Sequence, residues 1–177
     1  MLDPEDEVDA TALAWMRERP GTPVEGIGIV TRIWRLAKLF GDDRRRVLSA
    51  QGADAATLDL LSVLRRAGPP YRLTTRQITE RTRVTAGAIS QRLARAEGLG
   101  LVQRASVEGS RSVEVTLTPA GHELVESLVD QVLGREAGLL SKLNPAERAE
   151  FTRLLRLLLD DLQDRLGDPR HTQVGSS

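Results

Sequence analysis

The residues best suited to chemistry lie between Thr85 and Arg111, and the chemistry they suit is contact with nucleic acid. The segment TAGAISQRLARAEGLG (85–100) opens on Thr85, a residue type that caps helix N-termini, followed by the small residues Ala86, Gly87 and Ala88. Read as a helix, its outer N-terminal face carries Thr85, Ala86, Gly87, Ser90 and Gln91. Small side chains there permit close approach to a duplex, and the Ser90 hydroxyl and Gln91 amide can hydrogen-bond base edges in a major groove. Arg76, Arg81 and Arg95 are candidates for phosphate contacts, which set register rather than sequence. Ser110 and Arg111 fall where a hairpin tip would reach a minor groove, whose negative potential suits an arginine. From Arg65 to Arg111 there are ten Arg, no Lys and three Glu, a surplus of seven positive charges in a chain whose net charge is zero. With 23 Arg and 2 Lys overall, an arginine-rich composition accounts for Arg over Lys, but not for the scarcity of acids in this window. A basic middle beside an acidic N-terminus, where five of the first ten residues are Asp or Glu, is the charge footprint of a DNA-binding face.

Other chemistries are poorly supplied. There is no cysteine, so disulfides, thiolate metal sites and cysteine nucleophiles are excluded. The two histidines, His122 and His171, are far apart, and neither a P-loop nor a G-x-S-x-G elbow is present. The sequence calls for no enzyme activity, no metal and no cofactor. No apolar run approaches the roughly 18 residues of a membrane span, and the acidic start does not read as a signal peptide, so the expected location is cytoplasmic.

The elements that must position these residues are mostly helices, as expected from 40% hydrophobic and only 3% aromatic content built on Leu, Val and Ala. Spacing predicts helices over about 5–19, from Glu25 to about Ala50, and over 54–67, the last stopped by Gly68-Pro69-Pro70. LTTRQITERT (73–82) carries a capping box, Thr74 with Gln77. The 85–100 helix follows after a short turn, with Ile89, Leu93 and Ala96 as its apolar stripe and Gly100 just past its end. LVQRASV and SVEVTLT then alternate with period two across Glu108-Gly109-Ser110-Arg111, which predicts a β-hairpin. Thr118-Pro119 starts a helix to about Leu143, and Asn144 with Glu147 starts another to about Leu166. Two short helices and a hairpin make a winged helix-turn-helix. The fold class is therefore mainly α with a small β-hairpin wing. The parts are an N-terminal extension and dimerisation helix (1–53), the winged helix-turn-helix (54–118), C-terminal dimerisation helices (119–166) and a tail (167–177) with no pattern for order. Leu154, Leu155, Leu157, Leu158, Leu159 and Leu162 form a stripe too wide for one neighbour. An intramolecular bundle would bury part of it, and a second copy of the chain would bury it better. A two-fold dimer presents two reading helices to half-sites roughly 34 Å apart.

With these elements in this order, the sequence resembles the MarR family over nearly its whole length. LDLLSVLRRAGPPYRLTT (58–75), GLVQR (100–104) and TLTPAGHELV (116–125) carry the resemblance. It looks closest to the urate-responsive (UrtR) branch, which adds an N-terminal helix ending in a Trp-x-x-Glu-x-Pro pattern, here Trp15 to Pro20. The resemblance implies a DNA-binding repressor and a site for a small anionic effector, a urate-like purine or, as in related regulators, citrate or aconitate. By that likeness Trp15 and Arg92 hold the anion, Asp59 feels its charge, and Arg104 relays the change. The chemistry is sound: Trp offers a flat face and an N–H, and Arg a planar fork for an anion. Taken one by one, Trp15 also reads as an apolar anchor, and Asp59 with Arg92 or Arg104 as a structural ion pair. One departure stands in the wing, where the family carries an Asp and two close Arg and this chain has Gly109 and Ser110 in place of the Asp and one Arg. The partners expected are double-stranded DNA, a second copy of the chain and a small anion, with no membrane. The competing class is a winged helix that binds protein rather than DNA, which calls for acids on the 85–95 face, where there are none.

Overall fold

The computed structural model describes residues 6–106, 109 and 112–167. They divide into one unit running to Arg44 and a second from Arg45 onward. The first holds α1 (Glu7–Glu18) and most of α2 (Glu25–Ala50). Asp6 caps α1, accepting from the backbone N–H groups of Val8 and Asp9 at 2.8 and 3.0 Å. The same Asp6 and Asp9 receive the Arg32 guanidinium of α2 at 2.8 and 2.9 Å, and Arg35 reaches Glu7. These ion pairs fix α1 along α2. Trp15 is half exposed on α1, and Ile29, Val30, Trp34 and Leu39 are exposed on α2.

The second unit holds α3 (Ala55–Arg65), β1 (Arg72–Thr74), α4 (Thr75–Thr82), α5 (Ala86–Gly98), β2 (Val102–Ser106), β3 (Val113–Leu117), α6 (Pro119–Leu139) and α7 (Pro145–Leu166). Its core is aliphatic. Leu60, Leu61 and Leu64 of α3 meet Ile78 of α4, Ile89 and Leu93 of α5, Val102 and Val115 of the sheet, and Val125 and Leu128 of α6. Both expected capping boxes are present. Thr74 and Gln77 exchange side chain for backbone N–H at 3.2 and 2.9 Å, and Asn144 and Glu147 do the same at 3.0 and 2.8 Å. Each exchange satisfies two amides that a helix start leaves without partners.

The expected hairpin is present as the antiparallel pair β2 and β3. Two details differ from expectation. A third strand joins the sheet, in the order β1-β3-β2. Arg72, Leu73 and Thr74 pair with Thr116, Val115 and Glu114, and the buried Leu73 supplies the core contact. Three residues are too few to show an alternating pattern. The sixth helix ends at Leu139 rather than near Leu143. Leu140 closes it by donating to Glu136 and Gly138 carbonyls, and the apolar spacing at Leu140 and Leu143 continues through a turn.

α7 has no buried residue. Phe151, Leu154, Leu155, Leu157, Leu158 and Leu159 all lie exposed along it.

The start of α6 is stitched to the turn between α5 and β2. Thr118 donates its N–H to the Leu101 carbonyl at 3.1 Å and its hydroxyl to the Gly100 carbonyl at 2.7 Å. Gly121 lies against that turn, where a Cβ would fall 2.1 Å from the Leu101 oxygen. Only glycine allows this approach.

Candidate nucleic-acid and effector site

The site is built around α5. Thr85 caps it in extended backbone, its hydroxyl accepting from the Ala88 N–H at 3.4 Å. The turn before it passes through Arg83 in the left-handed region, at φ 55°. Ile89, Leu93 and Ala96 anchor one side of α5 in the core. Thr85, Ala86, Gly87, Ser90 and Gln91 are all exposed, so the five residues expected to face bases do lie on the free surface of this helix. Arg76 is exposed on α4 and pairs with Glu80 at 2.8 Å. Ser110 and Arg111 lie outside the described residues. Gly109 is described there, at φ 71°.

The flanks of α5 differ. Successive residues turn by about 100°, so residues two apart point to nearly opposite sides. Arg95 reaches back to α3, donating to the Asp54 carboxylate at 2.5 Å. Glu97, on the other flank, accepts a two-pronged contact from Arg104 of β2. Asp54 is also the N-cap of α3, accepting from the Thr57 N–H and hydroxyl at 2.8 and 2.7 Å. Partial burial pushes the Asp54 carboxyl up, but the Thr57 hydrogen bonds and the Arg95 charge outweigh it, and the group titrates below the ordinary carboxylate. The Arg104 hydrogen bond does the same to Glu97. Sequence reading missed both partners. Glu97 counted as dilution of a basic window, and Asp54 as the start of a helix.

On the Arg104 flank, α4, α5 and the strands enclose a groove of about 540 Å³. Ile89, Leu93 and Val113 supply its apolar lining, and Thr79, Glu80, Ser90 and Arg104 its polar groups. Arg92 and Asp59 do not line it. Arg92 is half-buried on the flank of α5 away from Ser90, and Asp59 is half-buried on α3 with an interaction of its own. The structure thus puts Arg92 and Arg104 on opposite flanks of one helix. Trp15 belongs to the other unit. Among the described residues no cluster of His, Cys, Asp or Glu could hold a metal, and no helix is long and apolar enough to cross a membrane.

Comparison with known proteins gives a consistent picture. The model of a family described as the MarR family matches residues 51–112. The HTH-type transcriptional regulator PecS of Dickeya dadantii (strain 3937) is 30% identical over 150 residues, spanning 84% of this chain and 90% of PecS. BpsR of Bordetella bronchiseptica, whose DNA binding is regulated by 6-hydroxynicotinic acid, superposes with a TM-score of 0.61 at 25% identity over 73% of this chain and 97% of BpsR. A cysteine-to-serine mutant of E. coli MarR in complex with operator DNA superposes with a TM-score of 0.60 at 25% identity, over 73% of this chain and 95% of that one.

Proposed function

The chain belongs to the MarR family of DNA-binding transcriptional regulators, and on that premise we propose that it is a repressor that binds a pseudo-palindromic operator as a homodimer and is released by a small anion. The observation that carries this reading is the free face of α5. It is capped, small at Ala86 and Gly87, polar at Ser90 and Gln91, and without an acid from 85 to 95. Ser90 and Gln91 meet base edges, and Arg76 and Arg81 meet phosphates. The wing, with Ser110 and Arg111, enters a minor groove. The exposed apolar stripe of α7 supports a partner copy, since each Leu removed from water contributes about 1.5–3 kcal/mol. The regulator works in the cytoplasm.

The effector is a urate-like purine or a citrate- or aconitate-like acid, as in the urate-responsive branch. Trp15 and Arg92 hold it, Asp59 is repelled by it, and Arg104 passes the change to the wing root. The placement of Arg92 and Arg104 on opposite flanks of α5 supports a relay through the reading helix itself. The experiment is a mobility-shift titration on the duplex upstream of its own reading frame, with urate, xanthine, citrate and trans-aconitate as competitors. A specific complex that one of these anions dissolves, with Arg92→Ala insensitive to it, supports the reading. No specific complex at low salt defeats it.

A further inference from the structure

Arg95 has the type and place of a phosphate contact, yet the structure gives its guanidinium to Asp54. Two features make this more than a passing surface ion pair. First, Asp54 is oriented independently of Arg95. One carboxylate oxygen is taken by the Thr57 N–H and hydroxyl, at 2.8 and 2.7 Å, and the other is left pointing at Arg95, 2.5 Å away. Only the arginine loses side-chain freedom in forming the pair, so the usual entropic cost falls on one partner. Second, the pair has a counterpart. Glu97, two residues on and on the other flank, is held by Arg104 of β2. The second half of α5 is thereby gripped from α3 on one side and from the wing root on the other. Its first half is the part with exposed Thr85, Ala86, Gly87 and Gln91.

The lever is short and the tolerance small. Side-chain tips lie roughly 5–6 Å from a helix axis, so a rotation of about 10° moves the Gln91 amide by about 1 Å. Hydrogen bonds to bases accept a spread of only about half that. A pair that fixes the rotation of α5 therefore bears on sequence reading while adding little to general attraction for DNA.

We propose that Arg95 is a positioning residue of DNA recognition, acting through Asp54 to set the rotation of α5 about its axis and making no phosphate contact. The role rests on α5 being the reading helix.

The test measures fluorescence anisotropy of the full chain on two duplexes of equal length across a salt series. One comes from upstream of its own reading frame and the other has random sequence. Asp54→Asn removes the charge while keeping an N-cap oxygen for Thr57, since Asn caps as well as Asp. Arg95→Gln removes the other partner. Each single change is expected to weaken the upstream duplex about threefold to tenfold, the middle of the range for an exposed ion pair counted in both protomers. Binding to random duplex and the salt slope stay at wild-type values, and the double variant loses no more than the larger single loss. The proposal is overturned if Asp54→Asn reads like wild type. It is equally overturned if Arg95→Gln weakens both duplexes alike and lowers the salt slope by about 0.9 per protomer, the mark of a lost phosphate contact. Wild-type chain that fails to distinguish the duplexes overturns α5 as the reading helix, and this role with it, before any variant is made.

Discussion

Replacing Gly121 with alanine tests the packing that holds the wing root under the reading helix. The added Cβ would fall 2.1 Å from the Leu101 carbonyl oxygen and 3.1 Å from both the Leu101 carbonyl carbon and a Leu117 methyl. Relief needs a movement of about 1 Å, and the obstacle is backbone. The Leu101 oxygen is pinned by the Thr118 N–H, and Thr118 is pinned in turn by the Gly100 carbonyl. Overpacking of this kind costs about 1–3 kcal/mol and sometimes more. Alanine returns up to about 1 kcal/mol in helix propensity. The net expectation is a loss near 2 kcal/mol, or roughly 4–8 °C in Tm for a chain of this size. Gly134→Ala is the internal control. It lies in the same helix with nothing within 4 Å of its added Cβ, and should raise Tm by a few degrees. Thermal unfolding followed by circular dichroism measures both. A Gly121→Ala protein that melts at or above wild type refutes the packing argument.

Further outcomes follow from the same geometry. Thr74→Ala removes one half of the α4 capping box and is expected to lower stability by about 1 kcal/mol in urea titration, whereas Thr74→Ser should be nearly silent. Asp54 and Glu97 are held below their ordinary values of 3.8 and 4.5, so the unfolded chain binds protons first as pH falls. The stabilisation they supply is complete above those values and lost as pH drops through the lower folded ones. Tm should be flat from about pH 7 to 5 and fall below about 4.5; a rise on acidification would contradict the assignment. Leu154→Glu with Leu158→Glu charges the exposed stripe of α7, and sedimentation should show a monomer with weakened operator binding, against a dimer for wild type.

Local chemistry was legible in the sequence, and long-range pairing was not. Thr74 with Gln77 and Asn144 with Glu147 announce their helices because each cap closes within three residues. Thr85 and Thr118 do so alone. The strand Arg72–Thr74 went unseen because its partners lie forty or more residues on, in β3, and its own three residues carry no period. The site divides the same way. The exposed residues of α5 follow from the 3.6-residue repeat that buries Ile89 and Leu93. The fates of Arg95 and Arg104 do not, since Asp54 is 41 residues from the first and Glu97 sits a turn and a strand away from the second. Charge counting over a window treats every arginine as free, and here Arg76, Arg95 and Arg104 each meet a carboxylate. The groove beside Ser90 is likewise a product of the assembled sheet and leaves no mark on spacing.

The central claim, that α5 reads DNA and a small anion releases it, is tested most directly by the affinity of the full chain for its own upstream duplex, with and without effector, across a salt series. The expected result is a specific complex much tighter than that with random duplex, a log–log slope against salt of several units, and loss of the specific complex on addition of a urate- or citrate-like anion. Equal affinity for both duplexes, or a complex indifferent to salt, would contradict it.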